Sequence, residues 1–268
     1  MKTMIFAAGL GTRLRPLTSD RPKALVTIGG RTLLEITLAR LRSFGVGEVI
    51  VNVHHCADQI VAYLAANRNF GMRIEVSREE VLLDTGGGLK KAAWFFQESG
   101  AHVDEPFVVN NVDVLSSIDL ARMVEFHRQR NALATLAVAA RATSRPLLFD
   151  AEGRLVRRGA AASEKPNAAP TLAAKTETPQ GWGTQVDGPA QSFQPLAFSG
   201  IHVVSPRIFA KLDEEGAFSI VDAYLRMAAA GESILGFRAD GAYWRDLGRP
   251  EQLAEAKQDL EDGAYPAG

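Results

Sequence analysis

Met4-Ile5-Phe6-Ala7-Ala8-Gly9-Leu10-Gly11-Thr12-Arg13-Leu14-Arg15-Pro16-Leu17-Thr18 opens the chain, with Arg21-Pro22-Lys23 close behind, and its reading decides the fold. The apolar run Ile5 to Ala8 ends at a glycine, the pattern of a buried strand entering a tight turn. Gly9 and Gly11 carry no Cβ, so a ligand can approach their amides and positive φ costs nothing there. A row of such amides forms an anion nest. Arg13, Arg15 and Lys23 add positive charge beside it. Bare amides with three nearby cations describe a cradle for a polyphosphate.

Two better-known phosphate loops do not fit. The P-loop needs Lys followed by Ser or Thr after its last glycine, a spacing not found here. The dinucleotide fingerprint needs a third glycine opening a helix, but position 14 is Leu and Pro16 interrupts a helix soon after. Pro22 likewise pushes Arg21 into extended geometry. The stretch therefore reads as a long phosphate-binding loop. An ordinary βα turn with solvated arginines would not need this composition.

The 268 residues suit one sizeable globular unit, and 46% apolar content with interspersed charge supports a substantial core. A formal charge of −1 carries no basic bias, which argues against nucleic acid as a partner. The single cysteine, Cys56, excludes an internal disulfide framework and fits a reducing cytoplasm. No apolar run reaches membrane-spanning length, so no membrane partner is expected.

Outward from the loop, Ala24 to Ile28 reads as extended and Gly29-Gly30 as a turn. Leu34, Leu38 and Leu41 recur at helical spacing in a helix from Leu33 to Phe44, capped by Thr32 or Gly30. Glu48 to Val53 is a β-branched strand. Strand, helix and strand in succession give the rhythm of a parallel sheet, hence an α/β fold. A helix from Ala57 to Ala66 and a strand from Arg73 to Ser77 follow. His54 and His55 sit at a strand end but lack a metal-spaced partner, so they read as loop residues. Leu83-Asp84-Thr85-Gly86-Gly87-Gly88 leads into a helix from Leu89 to Gln97, and its glycines would let a planar ring lie against backbone. Glu79, just upstream, could accept a hydrogen bond from that ring.

The strand Pro106 to Asn110 delivers Asn111-Val112-Asp113, a carboxylate on the face where parallel sheets bind ligands. Asp119 to Arg130 reads as an amphipathic helix that includes His127 as a packed or surface residue. Ala132 to Ala140 reads as a buried strand and Leu147 to Val156 as a hairpin around Glu152-Gly153. Residues 158–195 are rich in Ala, Pro, Thr, Gln and Gly without either period and read as a mobile insertion in a single domain spanning 1–268. Order returns at Ala197 to Val204, where Gly200 inside a strand marks close approach of backbone or ligand. Helices from Pro206 and from Ser219 to Ala230 and a strand from Ile234 to Arg238 precede Trp244-Arg245-Asp246-Leu247-Gly248-Arg249-Pro250. Trp244 reads as a packing anchor rather than a sugar platform, Pro250 suits the first turn of the last helix, and 263–268 reads as a loose tail.

Ala7-Ala8-Gly9-Leu10-Gly11-Thr12-Arg13 through Thr18, with Pro22-Lys23, resembles the opening motif of the sugar-1-phosphate nucleotidyltransferases, or nucleotide-sugar pyrophosphorylases. The resemblance continues through Thr85-Gly86, Asp113, Gly200 and the Trp244-x-Asp246-x-Gly248 element in family order. It implies a Rossmann-like, mixed and mostly parallel sheet flanked by helices, of the nucleotide-diphospho-sugar transferase type. It implies Mg²⁺-dependent reaction of a nucleoside triphosphate with a sugar 1-phosphate, giving a nucleotide-sugar and pyrophosphate. By the same resemblance Arg13 holds the departing pyrophosphate and Lys23 contacts the phosphates at the reacting centre. Ala7, Ala8, Gly9, Gly11 and Thr12 with Thr85 and Gly86 bind the nucleotide. Gly200 lies beside the sugar, Glu164 and Lys165 of a Glu-Lys-Pro tripeptide bind the sugar phosphate, and Asp113 and Asp246 hold the metal. Mg²⁺ takes few protein carboxylates and several phosphate oxygens, so two suffice.

Val112 departs from the glycine usual before the family's first Asp. Ala8 in place of a second glycine points to UTP, and the motifs and length are similar to those of stand-alone N-acetylmuramic acid 1-phosphate uridylyltransferases. A GTP-dependent mannose- or heptose-1-phosphate guanylyltransferase is the alternative. From another class, the rival is a non-catalytic nucleotide-sugar-binding subunit.

Overall fold

Strand periodicity supplies two apolar faces at once, and the computed structural model, which describes residues 1–98, 105–159 and 193–265, covers both. Strand β1 (Lys2–Phe6) leads into the phosphate loop. Strands β2 (Thr27–Ile28) and β3 (Arg31–Thr32) form a small hairpin. Helix α1 (Leu33–Ser43) starts where Thr32 accepts the Glu35 N–H, a capping arrangement that satisfies an otherwise orphaned donor. There follow β4 (Glu48–Val53), α2 (Ala57–Ala66), β5 (Arg73–Arg78), α3 (Asp84–Lys91), the single turn α4 (Ala93–Phe96), β6 (Phe107–Asn111) and β7 (Val114–Ser116). Helix α5 (Leu120–Gln129) is capped by Asp119, which accepts the Arg122 N–H. The rest is β8 (Ala134–Ala139), β9 (Leu147–Phe149), β10 (Leu155–Arg158), β11 (Gln194–Val204), α6 (Ile220–Ala229), β12 (Ile234–Arg238), β13 (Trp244–Asp246) and α7 (Pro250–Glu261).

Strands β5, β4, β1 and β6 run parallel in that order, β11 joins β6 antiparallel, and β8 joins β11 with β12 parallel beyond it. Strands β9 and β10 extend the sheet from the first residues of β11. This is the mixed, mostly parallel sheet expected from the strand–helix–strand rhythm. Ile5, Val49 and Val51 point into one core with Leu34, Leu38 and Leu41 of α1 and Leu253 of α7. Met4, Phe6 and Ile50 alternate into the other with Leu89, Phe95, Phe96 and Tyr224. Burial of both faces is the condition under which parallel strands persist.

Several expectations shift. The first strand ends at Phe6, leaving Ala7 and Ala8 in the loop. Residues 24–28 are not all extended, because Lys23–Leu25 forms a 3-10 turn whose Leu25 N–H reaches Pro22 O. The helix expected to begin at Leu89 begins at Asp84 and breaks at Ala92, so its glycines lie inside its first turns. The strand at 197–204 starts earlier, at Gln194, because β9 offers Phe149 and Leu148 as partners. Of the region read as an insertion, Arg158 belongs to β10 and Gln194-Pro195 to β11, while 160–192 lie outside the described residues. Of the tail, Tyr265 is buried against Tyr243, since residues 263–265 fold back on the end of α7. Among the described residues no helix is long and apolar enough to cross a membrane.

Candidate active site

All three central parallel strands β1, β4 and β6 point their C-terminal ends to one side, and a cleft of about 530 Å³ opens there. The phosphate loop forms one wall. Gly11 adopts φ +63°, and a Cβ on it would come within 3.0 Å of Thr18, so both its conformation and its neighbours require glycine. Thr18 Oγ1 donates to Gly11 O at 2.8 Å and Leu14 is fully buried beneath, which holds the loop compact. A Cβ built on Gly9 would meet nothing within 4 Å among the described residues, and Gly9 lines the cleft. Ala7, Ala8, Gly9, Gly11, Thr12, Arg13 and Lys23 all line the space. Arg15 lines neither this cleft nor the cavity beside it.

A buried carboxamide sets the loop's position. Asn52, at the end of β4, accepts the Ala7 N–H at 2.8 Å and donates to Glu79 Oε1 at 2.7 Å. Glu79 Oε2 accepts the Leu83 N–H at 3.0 Å. Both carboxylate oxygens of Glu79 are thus engaged in tying β4 to the start of α3, and the residue is 5% exposed. Glu79 is not among the residues lining the cleft, and both its oxygens already serve this scaffolding. His54 Nδ1 bonds Glu79 O, and neither His54 nor His55 lines the cleft.

The opposite wall comes from Leu82, Asp84 and Thr85 at the start of α3, with Ala217. The three glycines face inward. A Cβ on Gly86 would lie 2.2 Å from Phe218, on Gly87 2.3 Å from Gly216 O, and on Gly88 2.8 Å from Asn52 and Glu79. The Gly86 N–H donates to Phe218 O at 2.8 Å and Thr85 Oγ1 accepts the Ile220 N–H. The structure therefore brings Thr85 to the cleft but turns Gly86 into the packing between α3 and the start of α6.

The floor is the end of β6. Asn111, Val112 and Asp113 line the cleft, and Val112 N–H donates to Phe6 O at 3.1 Å. Val112 is not among the residues with positive φ, so the backbone here does not require the glycine that the sequence resemblance led one to expect. Lys23, 8% exposed, pairs its ammonium with Asp113 Oδ2.

A second cavity of about 600 Å³ adjoins the first, and Arg13, Asn111 and Asp113 line both. Here the two distant carboxylates meet. Strand β13 pairs with β7 so that Asp246 stands opposite Val114, and the Leu247 N–H donates to Asp113 O at 2.8 Å. Gly248 makes the approach possible: a Cβ there would be 2.7 Å from Arg13 and 2.9 Å from Asp246. Gly200 adopts φ +74° at the register shift of β11, where a Cβ would strike Asn111 and Val114 at 2.9 Å. It lines the second cavity with Ser199 and Trp244. Glu164 and Lys165 lie outside the described residues.

As a donor set for a metal, Asp113 and Asp246 are two hard carboxylates on a shared wall, and no third His, Cys, Asp or Glu joins them among the described residues. That suits Mg²⁺, which keeps most of its coordination for water and phosphate, and does not suit the multi-ligand cages of zinc or calcium.

Three residues of the site were not anticipated from the sequence. Asn52 could have been noticed as a polar residue inside an apolar strand, and Asn111 as the neighbour of Asp113. Arg141 carries no motif. It lies two residues past β8, donates to Ser199 Oγ at 2.9 Å and Phe198 O at 2.7 Å, and its Cζ is 3.6 Å from the centroid of the Trp244 ring. Burial pushes its guanidinium below the ordinary arginine value, and the Asp246 carboxylate opposes that shift. Trp244 itself donates from Nε1 to Ser199 O at 2.8 Å, so it anchors β13 to β11 while also facing the cavity.

A sequence model of the family described as Nucleotidyl transferase matches residues 2–263. The chain is 32% identical over 97% of its length to the N-acetylmuramate alpha-1-phosphate uridylyltransferase of Caulobacter vibrioides, covering 96% of that protein. It is 27% identical over 98% of its length to the mannose-1-phosphate guanylyltransferase of Mycobacterium tuberculosis, of which it spans 66%. Its fold matches that of HddC from Yersinia pseudotuberculosis, solved with GMP-PN, at a TM-score of 0.70 and 21% identity, covering 97% of this chain and 99% of that one.

Proposed function

Because the chain belongs to the nucleotidyl transferase family across residues 2–263, we propose that its cleft transfers a nucleotidyl group from a nucleoside triphosphate to a sugar 1-phosphate, giving a nucleotide-sugar and pyrophosphate. UTP is the preferred donor, which the similarity to a uridylyltransferase at 32% identity supports. GTP is the second reading, favoured by the 27% identity to a mannose-1-phosphate guanylyltransferase. Residues 1–268 act as one transferase unit, in keeping with the continuous family match, and the lone Cys56 suits a cytoplasmic setting.

The observation that carries the reading is the pair of adjoining cavities that share Arg13, Asn111 and Asp113. One has the phosphate loop as a wall and suits the triphosphate; the other suits the sugar phosphate. A phosphate oxygen of the sugar 1-phosphate attacks the α-phosphorus in line, a new P–O bond forms, and the bond to the β-phosphate breaks as pyrophosphate leaves. Both reactants are anions, so catalysis consists of holding them together and neutralising charge. Lys23 neutralises charge that develops around the α-phosphate, and Arg13 stabilises the departing pyrophosphate. The amides of Gly9, Gly11 and Thr12 orient the triphosphate. Thr85 and Leu82 border the space for the base. Asp113 and Asp246 would hold Mg²⁺, which when bound would supply positive charge to the phosphate oxygens.

Pyrophosphate release, measured with each of the four nucleoside triphosphates against N-acetylmuramic acid, glucose and mannose 1-phosphates, tests the proposal. Fastest release with UTP is the expected result. Binding of a nucleotide-sugar by calorimetry with no release from any pair would instead identify a non-catalytic binding subunit.

A further inference from the structure

The charge on Arg141 has no place in the chemistry described so far. Its guanidinium is partly withdrawn from water, and its hydrogen-bond partners are a hydroxyl and a backbone carbonyl, Ser199 Oγ and Phe198 O. Among the described residues no carboxylate forms an ion pair with it. Asp246 acts on it only through its field, and burial outweighs that field. Guanidinium carries five N–H donors, and among the described residues Ser199 Oγ and Phe198 O engage one at each terminal nitrogen. The group therefore lines the second cavity as an under-neutralised cation with donors to spare.

Its pose is fixed from three sides. Its Cζ lies over the Trp244 ring of β13, 3.6 Å from the centroid, and both bonds run to β11 beside the Gly200 bulge. The stem leaves the chain two residues past β8. A guanidinium held over an indole and bonded twice to one strand loses little further freedom when it accepts a ligand, and its fork matches phosphate geometry. A neighbouring anion would also relieve the desolvation that its burial imposes.

We propose that Arg141 binds the phosphate of the sugar 1-phosphate, presented to the second cavity by Trp244 and the Gly200 bulge, an inference that rests on the transferase reading above. It is a substrate-binding residue of the second cavity, which Arg13 of the loop also lines. Lysine cannot replace it, because an ammonium neither stacks as a plane nor keeps both anchoring bonds while reaching phosphate.

Steady-state kinetics on Arg141→Met and Arg141→Lys test this, with N-acetylmuramic acid, glucose and mannose 1-phosphates as probes and thermal melting as a check on folding. Methionine keeps contact with Trp244 and removes the charge. The KM for the sugar phosphate should rise at least tenfold in Arg141→Met and severalfold in Arg141→Lys, with the KM for the triphosphate within twofold of wild type. If Arg141→Met does not fold, Arg141→Lys carries the same comparison. An unchanged sugar-phosphate KM, or an equal rise for both substrates, overturns the assignment. A wild type that turns over no pair brings down the transferase reading and this one with it, whereas wild-type turnover beside an unaltered variant KM overturns the Arg141 assignment alone.

Discussion

Asp113 and Asp246 differ in what surrounds them, and that difference separates catalysis from stability. Asp113 is the partner of the buried Lys23 ammonium, whereas Asp246 reaches the same wall through β13 and Gly248. Asp113→Asn and Asp246→Asn should each lower kcat by about 10²-fold or more, the scale seen when a group that stabilises transition-state charge is removed. Only Asp113→Asn should also destabilise the fold, by about 1–3 kcal/mol, since it leaves a buried charge without its carboxylate. Denaturant melts beside the kinetics check both parts; equal stability of the two variants would mean that the Lys23–Asp113 pair contributes nothing. At this scale residue type and motif together pointed to residues that line the two cavities, as at Gly11, Arg13, Lys23 and both aspartates. The sequence was silent about Arg141 and Asn52, because a lone charge after a strand or a lone amide inside one has no local signature until its neighbours are known.

Helix α3 shows how an element can look like one thing and serve another. Its glycines suggested open backbone for a ring, but Phe218, Gly216 and the Asn52–Glu79 pair occupy the space a Cβ would take. The run is glycine chiefly because α3 must press against the start of α6 and the end of β4. Two buried histidines act on the same scale. His127 joins α5 to β8 through Thr135 Oγ1 at 3.0 Å, and His202 joins β11 to α6 through Tyr224 OH at 2.6 Å. Burial, with Arg207 and Arg128 adding to it, pushes His127 down to about 4, and burial pushes His202 down to about 3. Both are neutral in the fold, while the unfolded chain takes up protons below about pH 6.5. Their contribution is therefore complete above pH 6.5 and is lost as pH falls through 4 and 3. Partly exposed Glu98, held down to about 2 by Arg73 and Lys2, contributes stability that is complete above about 4.5 and is lost only as pH falls toward 2. Melting temperature should thus drop between pH 6.5 and 4.5, and His202→Gln should flatten that slope. An identical slope in the variant would exclude His202 as a source.

On the scale of the whole molecule, Arg13, Asn111 and Asp113 belong to both cavities, so occupancy of one should be felt in the other. A triphosphate with Mg²⁺ at a hundred times its Kd should add about 2.7 kcal/mol of stability, or about 5–10 °C in melting temperature for a chain of this size. A chelator should remove most of that shift in wild type and change little in Asp113→Asn. A full shift in the presence of chelator would show that the triphosphate binds without the metal. The amino-acid order by itself determined the sheet, the phosphate loop and the identities of the acidic residues, because strand alternation, helix period and glycine chemistry act over a few neighbouring positions. What only the tertiary structure decided is which side chains share a wall. The β7–β13 pairing sets Asp246 beside Asp113, the Gly200 bulge carries Ser199 to Arg141, and the space around Gly86, Gly87 and Gly88 is set by Phe218 and Gly216 ahead of α6 and by Asn52 and Glu79. Those contacts join residues far apart in the chain, and the registers that fix them arise only when both faces of the sheet are buried together.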